Sequence, residues 1–224
     1  MEMLPRLYLV THRKRIAGPG LLDALDEALD AGVRLVMLRE RDMTARDLLA
    51  LAKKAVALAD ARGARLLVND RLDVALLARA AGAHLREASV PLAEARRLIW
   101  PGALLGASVH TPEDAARAAA TGASLIVFGP VYATRDKAYR APQGLAALRL
   151  AARAVRAATG SHATHAVRVP LYAIGGVTPE RAGECIAAGA HGVAVMSGIL
   201  GADSIPARTR EYLRAIERAT RRES

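Results

Sequence analysis

The sequence predicts an α/β fold, a single (β/α)8 barrel, and three observations predict it. Short apolar runs alternate with helical stretches along the chain. The apolar runs are continuous, as strands are when a parallel sheet is covered on both faces. The length, 224 residues, suits one such barrel. No linker or composition break interrupts the repeat, so residues 1–224 read as one domain.

The elements follow in order. Leu7-Tyr8-Leu9-Val10 is the first strand, and Leu21 to Ala31 a helix with Leu21, Leu22, Leu25 and Leu29 near helical spacing. Residues 34–38 form the second strand. Thr44 then caps a helix to about Ala61, with Asp47 at the capping-box position. Residues 65–68 are the third strand, followed by a helix from Leu72 to Ala80. Residues 83–85 make a short fourth strand before a helix over 92–98. Residues 104–108 are the fifth strand, and Thr111-Pro112 opens the next helix with Thr at N-cap and Pro at N1. Residues 125–128 are the sixth strand; a long loop, 129–144, leads to a helix from Leu145 to about Ala157. Residues 171–174 are the seventh strand, Thr178-Pro179 caps the seventh helix, and 192–195 is the eighth strand. A helix from about Ile205 to Arg218 closes the pattern. The pairs Ala31-Gly32, Ala81-Gly82, Thr121-Gly122 and Ala188-Gly189 are read as helix ends with a left-handed glycine. The polar segment from Thr159 to Arg168 falls on the face away from the site, so His162 and His165 read as surface residues.

Composition narrows the function. The net charge is +10, but the arginines are spread over nearly every helix and aromatics make up only 3%. A nucleic-acid surface wants clustered charge and stacking platforms, so the charge reads as a solvated basic surface that also attracts phosphates. No apolar run reaches the ~18 residues of a membrane span, and no signal peptide is evident, which fits a cytoplasmic protein. The single cysteine, Cys185, reads as a buried thiol on a helix. The sequence leaves the oligomeric state open, a homo-oligomer included.

In this fold the site forms at the C-terminal ends of the strands. Those ends carry Arg39, Glu40 and Arg41; Asn69, Asp70 and Arg71; His84, Arg86, Glu87 and Ser89; Ser108 and His110; Thr134, Asp136 and Lys137; Gly175 and Gly176; Ser197 and Gly198. Loops after strands seven and eight often bind phosphate in these barrels. Gly175 and Gly176 let backbone N–H groups approach an anion, and Ser197 and Gly198 add a hydroxyl and the start of a helix. Arg39 and Arg41 can grip a second anion by forked hydrogen bonds. Asp70 suits Mg²⁺, or else pairs with Arg71 or caps the next helix. His110 reads equally as a surface histidine or a functional one, and His84 as a satisfied core histidine. The loop's length favours a functional reading of Lys137.

Several motifs in order carry a resemblance. They are Val-Met-Leu-Arg-Glu-Arg at 36–41, Val-Asn-Asp-Arg at 68–71, Gly-Ala-His-Leu at 82–85, Gly-Ala-Ser-Val-His at 106–110, Phe-Gly-Pro-Val-Tyr-Ala-Thr at 128–134, Ala-Ile-Gly-Gly-Val-Thr-Pro-Glu at 173–180 and Gly-Val-Ala-Val-Met-Ser-Gly-Ile at 192–199. From about residue 6 to 215 the chain resembles the thiamine phosphate synthase/TenI superfamily. The resemblance implies a thiazole phosphate ligand. The synthases join an aminopyrimidine diphosphate to thiazole phosphate with Mg²⁺, and the TenI branch includes a metal-independent thiazole tautomerase.

The chain departs from both patterns. Met37 stands where the synthases have glutamine, Arg41 for lysine, and Ser89 for a second magnesium carboxylate. The loop after strand six reads Thr134-Arg135-Asp136-Lys137, and Glu87 or Asp136 would have to compensate for the lost carboxylate. Val-Met-Ser-Gly-Ile is similar to the TenI branch, yet Pro130 stands where that branch has its histidine. The expected function is therefore a TenI-like tautomerase needing no cofactor. Its catalytic candidates are His110, Lys137 and Asp70, and its substrate-binding candidates Arg39, Arg41, Asn69, Ser108 and Thr134. The alternative is a thiamine phosphate synthase with Mg²⁺ on Asp70, and a third reading is a non-catalytic phosphate-binding barrel.

Overall fold

The computed structural model describes residues 3–16, 18, 20–134, 141–159 and 169–221. The strands are β1 (Leu7–Val10), β2 (Leu35–Leu38), β3 (Arg65–Asn69), β4 (Gly82–Leu85), β5 (Leu104–Val109), β6 (Leu125–Phe128), β7 (Leu171–Ile174) and β8 (Gly192–Val195). They close into one barrel in chain order. Every neighbouring pair is parallel, and β1 against β8 seals the ring. The helices are α1 (Leu21–Asp30), α2 (Ala45–Asp60), α3 (Leu72–Leu77), α4 (Leu92–Leu98), α5 (Pro112–Ala120), α6 (Gly144–Ala158), α7 (Pro179–Ala187), α8 (Ser197–Leu200) and α9 (Ile205–Arg221).

Side chains on a strand alternate between its two faces, which here makes two cores. Tyr8, Val10, Leu35, Met37, Leu67, Leu125, Val127, Tyr172 and Ala194 pack inside the barrel. Their neighbours Leu9, Val36, Leu38, Leu66, Val68, Ile126, Phe128 and Val193 pack outward against the helices. Both sets are buried, so the strands read as unbroken apolar runs. Full burial of one such Leu or Val contributes about 2 kcal/mol.

The helix starts follow their caps. The hydroxyls of Thr44, Thr111 and Thr178 accept from the N–H groups of Asp47, Asp114 and Arg181. Such a bond is worth about 1 kcal/mol over alanine at the same position. At Thr44 the hydroxyl also donates to the Asp47 carboxylate over 2.7 Å. Cys185 is buried on α7, as expected.

The third helix corrects the sequence reading. It ends at Leu77, not Ala80, and the left-handed residue after it is Arg79 at φ 56°. Gly82 is not a helix cap but the first residue of β4. A side chain there would run into the Leu104 carbonyl of the adjacent strand. Close approach of β4 to β5, rather than chain reversal, requires that glycine. His162 and His165 lie outside the described residues.

Candidate active site

The inward register, carried past the strand ends, builds the mouth of the barrel. Two steps beyond Met37 stands Arg39, and two more reach Arg41. Leu67 leads to Asn69, His84 to Arg86, Val127 to Gly129 and Ala194 to Met196. Gly106 leads to Ser108 and His110. Arg39, Arg41, Asn69, Arg86, Ser108, His110, Gly129 and Met196 line one cavity of 220 Å³. The Arg39 guanidinium reaches across the mouth to the Met196 sulfur at 3.9 Å. Arg39, Arg41, Asn69, Ser108 and His110 thus meet in one place.

Asp70 stands at φ 66°, a left-handed conformation tolerated by Asp, just after β3. It does not pair with Arg71, whose guanidinium bonds Asp73 instead. Nor does it cap α3, where Arg71 is the N-cap residue. Arg86 donates to Asp70 Oδ2 through Nε at 3.0 Å and also through Nη2, and Ser89 donates its hydroxyl to Oδ1. The Ser89 hydroxyl oxygen in turn accepts from the Arg86 backbone N–H at 2.8 Å. Partial burial pushes the Asp70 carboxyl up, but the Ser89 and Arg86 hydrogen bonds and the charges of Arg86 and Arg41 outweigh it. The pKa therefore falls below the ordinary 3.8 and the group is a carboxylate at neutral pH.

His110 is buried, not a surface histidine. Its Nδ1 is hydrogen-bonded to the Gly129 carbonyl, which fixes that nitrogen as the N–H donor. Its Nε2 lies 3.6 Å from Glu87 Oε2 at the rim of the cavity. The sequence places Glu87 at a strand end and offers it as a substitute for the lost carboxylate, but gives no sign of its contact with His110.

A second cavity, of 320 Å³, adjoins the first and shares Ile174 and Met196 with it. Thr134, Gly175, Gly176, Ser197 and Gly198 line it together. Ser197 is the first residue of α8, which starts at the wall of this cavity. The glycines are needed for a reason the sequence did not show. They stand at φ 95° and 62°, and a side chain at Gly175 would meet Pro130, one at Gly176 the Ala133 carbonyl and Tyr132. They let the loop after β6 close on the cup, rather than merely clearing space for an anion.

Arg181 and Tyr212 complete this cup and were missed by sequence reasoning. Arg181 donates to the Gly176 carbonyl at 2.9 Å and stacks over the Tyr132 ring at 4.6 Å. It is the residue whose N–H Thr178 caps, so the cap itself marks its position. Tyr212 donates to the Val177 carbonyl at 2.9 Å from α9, and no local motif announces it.

Glu40 has the opposite strand parity from Arg39 and does not line the cavity. It is buried and accepts from the Thr11 hydroxyl at 2.7 Å, and from the Arg13 N–H and guanidinium. Thr11 Oγ1 also accepts from the Arg39 N–H at 2.9 Å. Glu40 therefore ties the loop after β1 to the strand end that carries Arg39. Lys137 and Asp136 lie outside the described residues.

The chain matches the family model described as thiamine monophosphate synthase over residues 7–199. It is 44% identical over 218 residues to a putative thiamine-phosphate synthase of Geobacter sulfurreducens, covering 97% of each chain. It is 36% identical to a thiamine-phosphate synthase of Moorella thermoacetica, over 95% of this chain and 96% of that one. Among solved structures it is similar to a thiamine phosphate pyrophosphorylase from Pyrococcus furiosus, with TM-score 0.81, 28% identity and 96% coverage of both chains.

Proposed function

Because the chain belongs to the thiamine phosphate synthase/TenI superfamily and is an enzyme of thiamine biosynthesis, we propose that it is a thiamine phosphate synthase, a transferase joining an aminopyrimidine diphosphate to thiazole phosphate. The relatives' names support transfer over tautomerisation, the reverse of the order suggested by the sequence. One structural observation carries the reading: two adjoining cavities, one rimmed by Arg39, Arg41 and Arg86, the other by Gly175, Gly176, Ser197 and Gly198. A transfer between two phosphorylated substrates needs two anion sites side by side.

The reaction forms a bond to the thiazole nitrogen and breaks the C–O bond to the diphosphate, which leaves with the bonding electrons. In this reading the glycine cup holds the thiazole phosphate, aided by the positive charge of Arg181. The arginines at the other rim stabilise the negative charge that grows on the departing diphosphate. Ser108 and Asn69 supply hydrogen bonds within the arginine-lined cavity. Holding both reactants in contact is itself a large part of the rate gain.

The synthases of this superfamily use Mg²⁺, and the donor set here does not fit a two-carboxylate metal site. Both Asp70 oxygens are taken by Arg86 and Ser89. No group of three or more His, Cys, Asp or Glu side chains able to hold a metal occurs among the described residues. No step is therefore assigned to the metal.

The His110–Glu87 contact favours a second reading, proton transfer on the thiazole ring, since a histidine beside a carboxylate suits acid–base work. Purified protein given both substrates separates the two. Thiamine monophosphate formation supports the synthase. Deuterium exchange into thiazole phosphate with no condensation product supports the tautomerase instead.

A further inference from the structure

We propose that Arg86 takes the place of a divalent metal at Asp70, so that the barrel binds a diphosphate group through guanidinium groups without a metal ion. This deepens the synthase reading and rests on it for the identity of the diphosphate. Arg86 is placed by the fold, two steps past the inward-facing His84. Asp70 takes the Nε–Nη2 edge of its guanidinium, which leaves the Nη1 side away from the carboxylate, and Arg86 lines the cavity with Arg39 and Arg41. The Ser89 hydroxyl bonds both Asp70 and the Arg86 backbone, so residues 86–89 wrap around the carboxylate. The guanidinium is thereby held in one orientation.

A magnesium ion needs near-octahedral oxygen ligands. To reach Asp70 it would have to displace both partners and sit beside a permanent positive charge. Arginine does not lose its proton in proteins, so that charge persists at every working pH. Arg39 and Arg41 line the same cavity. Three forked cations facing one hollow match the several oxygens of a diphosphate. Asp70 orients Arg86 in this arrangement and does not ligate a metal.

The test is calorimetric titration of inorganic pyrophosphate into the purified full chain, once with EDTA and once with excess Mg²⁺. Wild type is expected to bind in EDTA with an affinity within about threefold of that in Mg²⁺. Arg86→Gln is expected to lose roughly tenfold or more of the metal-free affinity, the usual scale for one charge-assisted contact. Arg86→Lys should recover part of it, and Arg97→Gln, on the exposed outer face of α4, should match wild type. Binding that requires Mg²⁺ in wild type, or an Arg86→Gln affinity equal to wild type, overturns the proposal. If Arg86→Gln fails to fold by circular dichroism, the wild-type comparison with and without Mg²⁺ decides. Metal-free pyrophosphate binding with no condensation of the two substrates would leave the guanidinium site standing and refute the synthase reading.

Discussion

His84 Nε2 lies 2.9 Å from Ser108 Oγ, and its Nδ1 lies 3.3 Å from the Tyr8 hydroxyl. A polar chain therefore runs from inside the barrel to the floor of the first cavity. Burial, with Tyr172 nearby, pushes the Tyr8 phenol well above its usual pKa, so it stays protonated and can donate to Nδ1. The matching tautomer carries its proton on Nε2 and donates it to Ser108. The Ser108 hydroxyl is then left as a donor towards a ligand. A satisfied core histidine, which the sequence suggested, is also the support of a cavity residue.

This chain should make stability fall in acid. Burial pushes His84 down to about 3 from 6.5. The unfolded chain therefore takes up a proton first as pH drops. The contribution of His84 is complete above 6.5 and is lost as pH falls towards about 3, by up to ~1.4 kcal/mol per pH unit. Half-buried His191, shifted down chiefly by burial, acts in the same direction. Urea midpoints followed through this window should drop in wild type and drop less in His84→Gln. Equal slopes would remove His84 from the explanation.

Gly106 pairs with His84 across β4 and β5, and a side chain on it would strike the imidazole. Gly106→Ala should therefore destabilise the fold by about 1–3 kcal/mol through overpacking. It should also weaken ligand binding by disturbing Ser108. Chemical denaturation measures the first effect and calorimetry the second. A variant as stable as wild type would show that the ring can move aside at little cost.

At Gly176 the left-handed backbone and the close approach of Ala133 and Tyr132 both oppose a side chain. Gly176→Val should lower affinity for thiazole phosphate by roughly tenfold or more, by forcing the loop after β6 away from the cup. Titration of thiazole phosphate into the variant checks this, and unchanged affinity would refute it.

Glu40→Ala should cost about 3 kcal/mol, since it strips a buried carboxylate from Thr11 and Arg13. Glu40→Gln, which keeps the shape, should cost less. Denaturant unfolding of the two variants gives the comparison. A near-neutral Glu40→Ala would mean that water replaces the carboxylate.

Much of this was legible in the sequence because one rule governs both strands and site. Alternation sorts Tyr8 and Val10 from Leu7 and Leu9, and the same count places Arg39, Asn69 and Ser108 at the mouth. Extended past His84, it also points to Arg86, yet the side chain's partner could not be read. The Asp70–Arg86 bridge joins residues 16 apart in sequence on neighbouring strand ends, and only the closed barrel brings them together. Tyr212 enters from the last helix with no motif of its own, and Arg181 is marked only by the Thr178 cap, which announces a helix start and not a cavity. The end of α3 was misread because Arg79, rather than a glycine, takes the left-handed turn.

The most direct measurement is a crystal structure with thiamine monophosphate and pyrophosphate bound together. The monophosphate should lie in the cup of Gly175, Gly176, Ser197 and Gly198, and the pyrophosphate against Arg39, Arg41 and Arg86. A monophosphate bound among the arginines, or a pyrophosphate anywhere but that rim, would contradict this arrangement.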